Sequence, residues 1–132
     1  MANAGGTSFA GGTTSQSFPG IRPDALVGTD PAFLLGLQQD SNFRTNVGIY
    51  NYDTSSAHTF TVNIHGLSNT SMTVTVPAWS IVQTSIPAGN WGPLFAIVFP
   101  DSGMNGQWWA AYASSSDNKT GDGWITIGSQ DN

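Results

Sequence analysis

The stretch Thr59-Phe60-Thr61-Val62-Asn63-Ile64-His65 alternates without a break. Phe60, Val62 and Ile64 share one face; Thr59, Thr61, Asn63 and His65 share the other. A period of two marks a half-buried β-strand and does not suit a helix that buries one side. A weaker version precedes it: in Phe43-Arg44-Thr45-Asn46-Val47-Gly48-Ile49-Tyr50, the residues Phe43, Val47 and Ile49 fall on one face. Between the two, Asn51-Tyr52-Asp53-Thr54-Ser55-Ser56-Ala57 has the Asn, Asp and Ser content of a turn. Ser41 to His65 therefore reads as a hairpin, two strands joined by a polar loop, with one buried face and one Thr-rich wet face.

The rest of the chain repeats strand and turn signals at short spacing. Ala32-Phe33-Leu34-Leu35-Gly36-Leu37 is a first strand, because Gly36 and the short run disfavour a helix. Met72 to Val76 alternates again and ends at Pro77, which cannot donate to a ladder. Trp79 to Ile86, Gln107 to Ser114 and Gly123 to Ile127 follow as strands. Leu94 to Phe99 is continuously apolar, the pattern of a central strand covered on both faces. About eight short strands with regular turns predict an all-β, Ig-like antiparallel β-sandwich, placed here over residues 32–132. Phe60, Val62, Ile64, Val74, Ile97 and Ile125 are expected in its core, with Thr59, Thr61 and Thr73 outside. Residues 1–31 read as an extended arm rich in Gly, Ser, Thr and Pro, interrupted by the apolar anchors Phe9, Phe18 and Ile21.

Composition excludes several function classes. Charged residues make up 8% of the chain, against about 25% in ordinary soluble domains. The only basic residues are Arg22, Arg44 and Lys119, and the net charge is -5. Nucleic-acid binding needs clustered cations, so it is not expected. No apolar run approaches the roughly 20 residues of a membrane-spanning helix, so membrane insertion is not expected. With no cysteine, the chain has no thiol or disulfide chemistry. Met1 to Gly6 shows neither region of a signal peptide, so the chain is expected to be either cytoplasmic or, the favoured reading, a mature or recombinant piece with Met1 added.

Four segments carry a resemblance. They are Phe43 to Asn51 (FRTNVGIYN), Phe60 to Ile64, Pro77 to Gln83 (PAWSIVQ) and Tyr112 to Asp122 (YASSSDNKTGD). Together with Phe33-Leu34-Leu35-Gly36-Leu37 they resemble an Ig-like β-sandwich repeat module of secreted and cell-surface bacterial proteins. The resemblance covers residues ~32 to 128; FRTN and DNKTGD are its most specific parts. It implies a sandwich fold and a secreted or cell-surface location. It brings no catalytic residue.

Few side chains offer chemistry. Asp117, Asn118 and Asp122 present oxygens that suit Ca²⁺, but Lys119 in their midst and the lack of Glu favour an Asx-type turn. His58 and His65 lie seven apart and so face opposite sides of a strand. A catalytic reading pairs a histidine with Asp53 and a serine; no nucleophile elbow supports it, and both imidazoles are expected to be exposed at strand ends. Arg44 is expected to pair with Asp117 or Asp122 and pin the last loop. Asn69-Thr70-Ser71 and Asn118-Lys119-Thr120 match the N-glycosylation triplet, a match without weight in a bacterial protein. Trp108 and Trp109 must point to opposite faces of their strand, so one is core and the other exposed or covered by a partner.

The leading reading is a non-enzymatic extracellular structural or assembly module without cofactor or metal. In it the arm adds as a strand to the next subunit, giving a head-to-tail homo-oligomer with an interface at Phe9, Phe18, Ile21, Trp108 and Trp109. The alternative is a glycan-binding or adhesion module using Trp108, Trp109 and Trp124.

Overall fold

A computed structural model describes residues 25–130. Ten strands run in chain order: β1 (Leu26–Val27), β2 (Ala32–Gln39), β3 (Phe43–Asn51), β4 (His58–His65), β5 (Asn69–Val76), β6 (Ser80–Ser85), β7 (Gly92–Pro100), β8 (Trp108–Asp117), β9 (Gly123–Ile127) and β10 (Ser129–Gln130). A single 3-10 turn, Ser102–Met104, separates β7 from β8. The strands form two antiparallel sheets facing each other as an all-β sandwich. One has the order β1-β8-β3-β6, with β9 also on β8; the other has the order β10-β2-β7-β4-β5.

The period of two in β4 survives intact. Phe60, Val62 and Ile64 are fully buried, and Val74 and Val76 of β5 join them. From the facing sheet come Val47, Ile49, Trp109, Ala111 and Ala113. Trp109 lies against Phe60 with ring centroids 5.3 Å apart. Small Ala111 and Ala113 leave room for these large neighbours, as a close-packed interior requires.

The hairpin expected over Ser41 to His65 does not form. β3 pairs with β6 and β8, whereas β4 pairs with β5 and β7, so the two lie in different sheets. Their apolar faces meet across the sandwich instead of lying side by side. The six residues 52–57 cross the roughly 10 Å between the sheets. Alternation reports a buried face and is silent on which strand lies alongside. Asn51 builds the crossover: buried, it accepts the Asp53 N–H and donates to the carbonyls of Ser56, Val76 and Pro77. The hairpins that do form are β4–β5 and β8–β9.

Three further expectations change. Leu94 to Phe99 is not covered on both faces: Leu94, Ala96 and Val98 are buried, whereas Phe95 and Phe99 are exposed. Ile97 shares their outer face, opposite Phe33 and Asn63, and is half-buried. Ile125 is exposed, because β9 places it opposite Ser114 on the outer side of its sheet. Its neighbours turn towards β2 instead: the Trp124 indole N–H donates to Gly36 O and the Thr126 hydroxyl to Leu35 O. Residues 25–31, read as the end of the arm, belong to the sandwich. Leu26 is buried and Val27 pairs with Trp108.

Candidate functional site

The only ion pairs among the described residues converge on His58. It opens β4 on the inward side, in phase with Phe60, and is buried rather than exposed as the sequence suggests. Its Nε2 lies 2.7 Å from Asp53 Oδ2 and its Nδ1 lies 2.8 Å from Asp101 Oδ1. Two carboxylate acceptors require two N–H donors, so the ring is an imidazolium. Burial alone would depress its pKa; the bonds to Asp53 and Asp101 outweigh that and raise it. The bond from His58, then the backbone N–H of Ser55, hold Asp53 down at about 2. Burial works to raise Asp101, but the Thr59 N–H and His58 bring it below the usual carboxylate range.

This cluster is a lock. Asp53 sits in the β3–β4 crossover and Asp101 in the loop after β7, so the ring ties two loops to the start of β4. Ser55 spends its hydroxyl on Asp53 Oδ1. With both ring nitrogens on carboxylates, no nitrogen remains to take a proton from a nucleophile, as a general base must. The sequence does bring His58 and Asp53 together as the catalytic pairing supposed, but Asp101 converts the pair into a structural clamp.

The tryptophans divide into two groups. Trp109 is fully buried with its indole N–H on Gly28 O, so it cannot serve an interface or a sugar. Trp124 is 39% exposed, tied to Gly36 and lying 5.7 Å from the Phe43 ring. Trp91 donates to Pro87 O. Trp108 and Trp79 are the most exposed, at 52% and 67%, and among the described residues no acceptor takes their indole N–H. The sequence reading makes Trp79 the first residue of a strand and leaves it out of the glycan set Trp108, Trp109 and Trp124, whereas the structure places it in the turn before β6.

At the opposite end of the sandwich, Asp117 folds its own loop. Its Oδ1 accepts the N–H groups of Lys119 and Thr120, and Asn118 donates its side-chain amide to Ser41 O. These oxygens serve an Asx-type turn, and the described residues hold no group of three or more metal-ligating side chains that would include Asp122. Arg44 stands exposed opposite Ser116 and makes no ion pair among the described residues, contrary to the expected bond to Asp117 or Asp122.

The two flanks of the sandwich also differ. One is closed by short strands, β1 and β10 of two residues each and β9 of five. The other presents β5 and β6, whose outer edges have no partner among the described residues. β5 pairs with β4 over eight consecutive residues without a bulge, and Asn69–Val76 contains no charge and no proline. At this flank Met72 and Val82 are only partly covered against the core. Phe9, Phe18 and Ile21 lie outside the described residues.

No protein-family model matches the chain, and neither does any curated protein. Among solved structures, the crystal structure of Thermotoga maritima 1070 is similar, with a TM-score of 0.59 and 12% identity over 80% of this chain and 97% of that one. A likeness at that identity concerns the fold alone.

Proposed function

We propose that this protein is a non-enzymatic structural module of the cell surface or secreted space that assembles head to tail through its N-terminal segment. The β5–β6 flank carries the reading. Proteins that remain monomeric blunt long sheet edges with lysine, proline, bulges or short strands. β5 has none of these, while on the opposite flank β1, β9 and β10 are short and the part of β2 beyond β10 is broken by a register shift between Leu34 and Leu37. Strand addition gives such an edge its missing main-chain hydrogen bonds, with pockets for alternate side chains. Partly covered Met72 and Val82 offer those pockets to an anchor such as Phe18 or Ile21. Residues 1–24 join the sandwich at Ala25, beside β1, on the flank away from β5. Donor and acceptor on opposite sides make a heterologous contact, which propagates as a ring or filament. The His58 lock, with no nitrogen to spare, supports the absence of catalysis.

Sedimentation and negative-stain electron microscopy test the proposal. The full-length chain should give concentration-dependent rings or filaments. Deleting residues 2–22 should leave a folded monomer, and Ser71→Lys with Thr73→Lys, which charges the β5 edge, should do the same. A full-length monomer at high concentration, or a truncated chain that still polymerises, rules the proposal out.

A further inference from the structure

The outer face of the β1-β8-β3-β6 sheet carries a transverse row in which exposed Val27, Trp108 and Trp79 flank a half-buried Tyr52. Val27 of β1 pairs with Trp108 of β8. Tyr52, just past β3, donates its backbone N–H to Trp108 O at 3.1 Å, which extends the ladder by one step beyond Asn51 and Trp109. Trp79, just before β6, continues the row: its N–H donates to Asp53 O, and its ring lies 5.9 Å from Tyr52. Trp108, Tyr52 and Trp79 therefore occupy adjacent strand positions at one level of the sheet. With strands ~4.8 Å apart, the two tryptophan backbones stand about 10 Å apart with a tyrosine between them.

Two observations separate this row from ordinary aromatic packing. Trp79 has φ of +53°, and no other non-glycine described residue has a positive φ. A bulky side chain is rare there, and such outliers cluster where a site demands them. The strain is spent on holding out a ring that is 67% exposed. The second observation is the indole N–H inventory. Trp91, Trp109 and Trp124 place theirs on carbonyls within the protein, whereas Trp79 and Trp108 do not, and neither does the Tyr52 hydroxyl bond to any described residue. The row offers flat apolar faces flanked by donors, the chemistry of a pyranose ring with one C–H face and a rim of hydroxyls.

Charge narrows the ligand. Arg44 and Lys119 both lie at the far end of the sheet, about 26 Å away along β3 at ~3.3 Å per residue. Among the described residues no lysine or arginine stands beside the row to answer a carboxylate, sulfate or phosphate, and the chain carries net charge -5. Anionic polysaccharides and nucleic acids are repelled.

We propose that Trp79, Tyr52 and Trp108 form a binding platform for a neutral β-linked polysaccharide: three residues at one level of a sheet make a short straight row, which suits the extended ribbon of a β-linked glucan and not the coil of an α-linked one. The platform replaces the set Trp108, Trp109 and Trp124, of which only Trp108 belongs to it. It is independent of strand addition, because it occupies a sheet face and not the β5 edge.

The test uses the full-length chain with cellohexaose, titrated by tryptophan fluorescence, and with native gels containing barley β-glucan, amylose or alginate. Retardation by β-glucan and saturable quenching by cellohexaose are expected. Trp79→Ala and Trp108→Ala should each weaken cellohexaose binding about ten-fold or more, as loss of an aromatic stacking contact does. Trp124→Ala should bind as the parent does. Circular dichroism checks that each variant keeps the β-sheet spectrum, and Trp79→Tyr, which keeps a stacking ring, should retain most binding. Absence of binding to β-glucan and cellohexaose overturns the proposal. So does binding that survives both alanine variants, or a preference for amylose or alginate.

Discussion

At one end of the sandwich, the 52–57 crossover and the loop after β7 meet on a buried imidazolium. At the other end, the 40–42 turn and the 118–122 loop are each folded by a carboxylate on nearby backbone. Asp40 Oδ1 accepts the N–H groups of Asn42 and Phe43, and Asp117 does the same for Lys119 and Thr120. His58 reaches Asp101 across 43 positions of sequence, whereas the Asx turns span two or three. The first end depends on tertiary structure to exist at all; at the second each turn is folded by its own carboxylate, and Asn118 then joins the two turns through Ser41 O and Asn42 O. The long-range end also carries the Trp79–Tyr52–Trp108 row, and the other end carries the one arginine and the one lysine among the described residues, Arg44 and Lys119. A tertiary clamp beneath a strained exposed ring gives that ring a fixed base, through the bond from Trp79 N–H to Asp53 O.

Removing the clamp should have the largest effect. His58→Ala leaves two carboxylates facing each other without a cation, and breaking a buried ion pair costs about 3 kcal/mol or more. Urea denaturation should show that loss. A value under about 1 kcal/mol would make the two ends equivalent in strength and remove the distinction drawn between them.

The clamp also has a pH window. His58 has a raised folded pKa, so its contribution is complete below the ordinary histidine value of 6.5 and is lost as pH rises through the folded value. Asp53 and Asp101 are lowered, so theirs is complete above the ordinary 3.8 and is lost as pH falls, for Asp53 towards about 2. Thermal stability should therefore plateau between about pH 4 and 6.5 and decline on both sides. His58→Gln should lack the alkaline decline between pH 6.5 and 9, a range in which the raised tyrosines 50, 52 and 112 stay neutral. An unchanged alkaline slope in the variant would place the titrating group elsewhere.

The comparison explains what could be read in the sequence. The sandwich, the alternating core of β4 and β5, and the opposite faces of Trp108 and Trp109 all follow from a period of two, which is local. The turn at Asp117 was legible because its partners sit two and three residues away. The clamp was not, because nothing near His58 indicates that a residue 43 positions on will meet it. The β3–β4 crossover was misread for the same reason, since pairing partners are chosen across the whole sheet. The aromatic row needed both β3–β8 and β3–β6 registers before its members became neighbours.

At the local end, a smaller effect is expected. Asp117→Ala removes the acceptor for two backbone N–H groups that water can partly replace, and should cost about 1 kcal/mol, as one net hydrogen bond does. Urea denaturation would show it. A loss as large as that of His58→Ala would show that the Asx turn also holds the Asn118 bonds to Ser41 O and Asn42 O in place.

Arg44 should give the smallest effect, and it separates the two accounts of this end. The sequence places a rare cation on a strand near Asp117 and Asp122, which suggests a pinning ion pair. The structure sets it opposite Ser116 and exposed, while Asp117 is engaged with Lys119 and Thr120 backbone. Exposed ion pairs are worth at most about 1 kcal/mol, and an exposed charge without a partner less. Arg44→Ala should thus shift stability by no more than about 0.5 kcal/mol, the range for surface substitutions. The shift should be the same at 50 mM and 1 M NaCl, since about 3 Å screening at high salt has no pair to weaken. A loss above 1 kcal/mol at low salt that disappears at high salt would restore the ion pair and add a charge-dependent tie to this end.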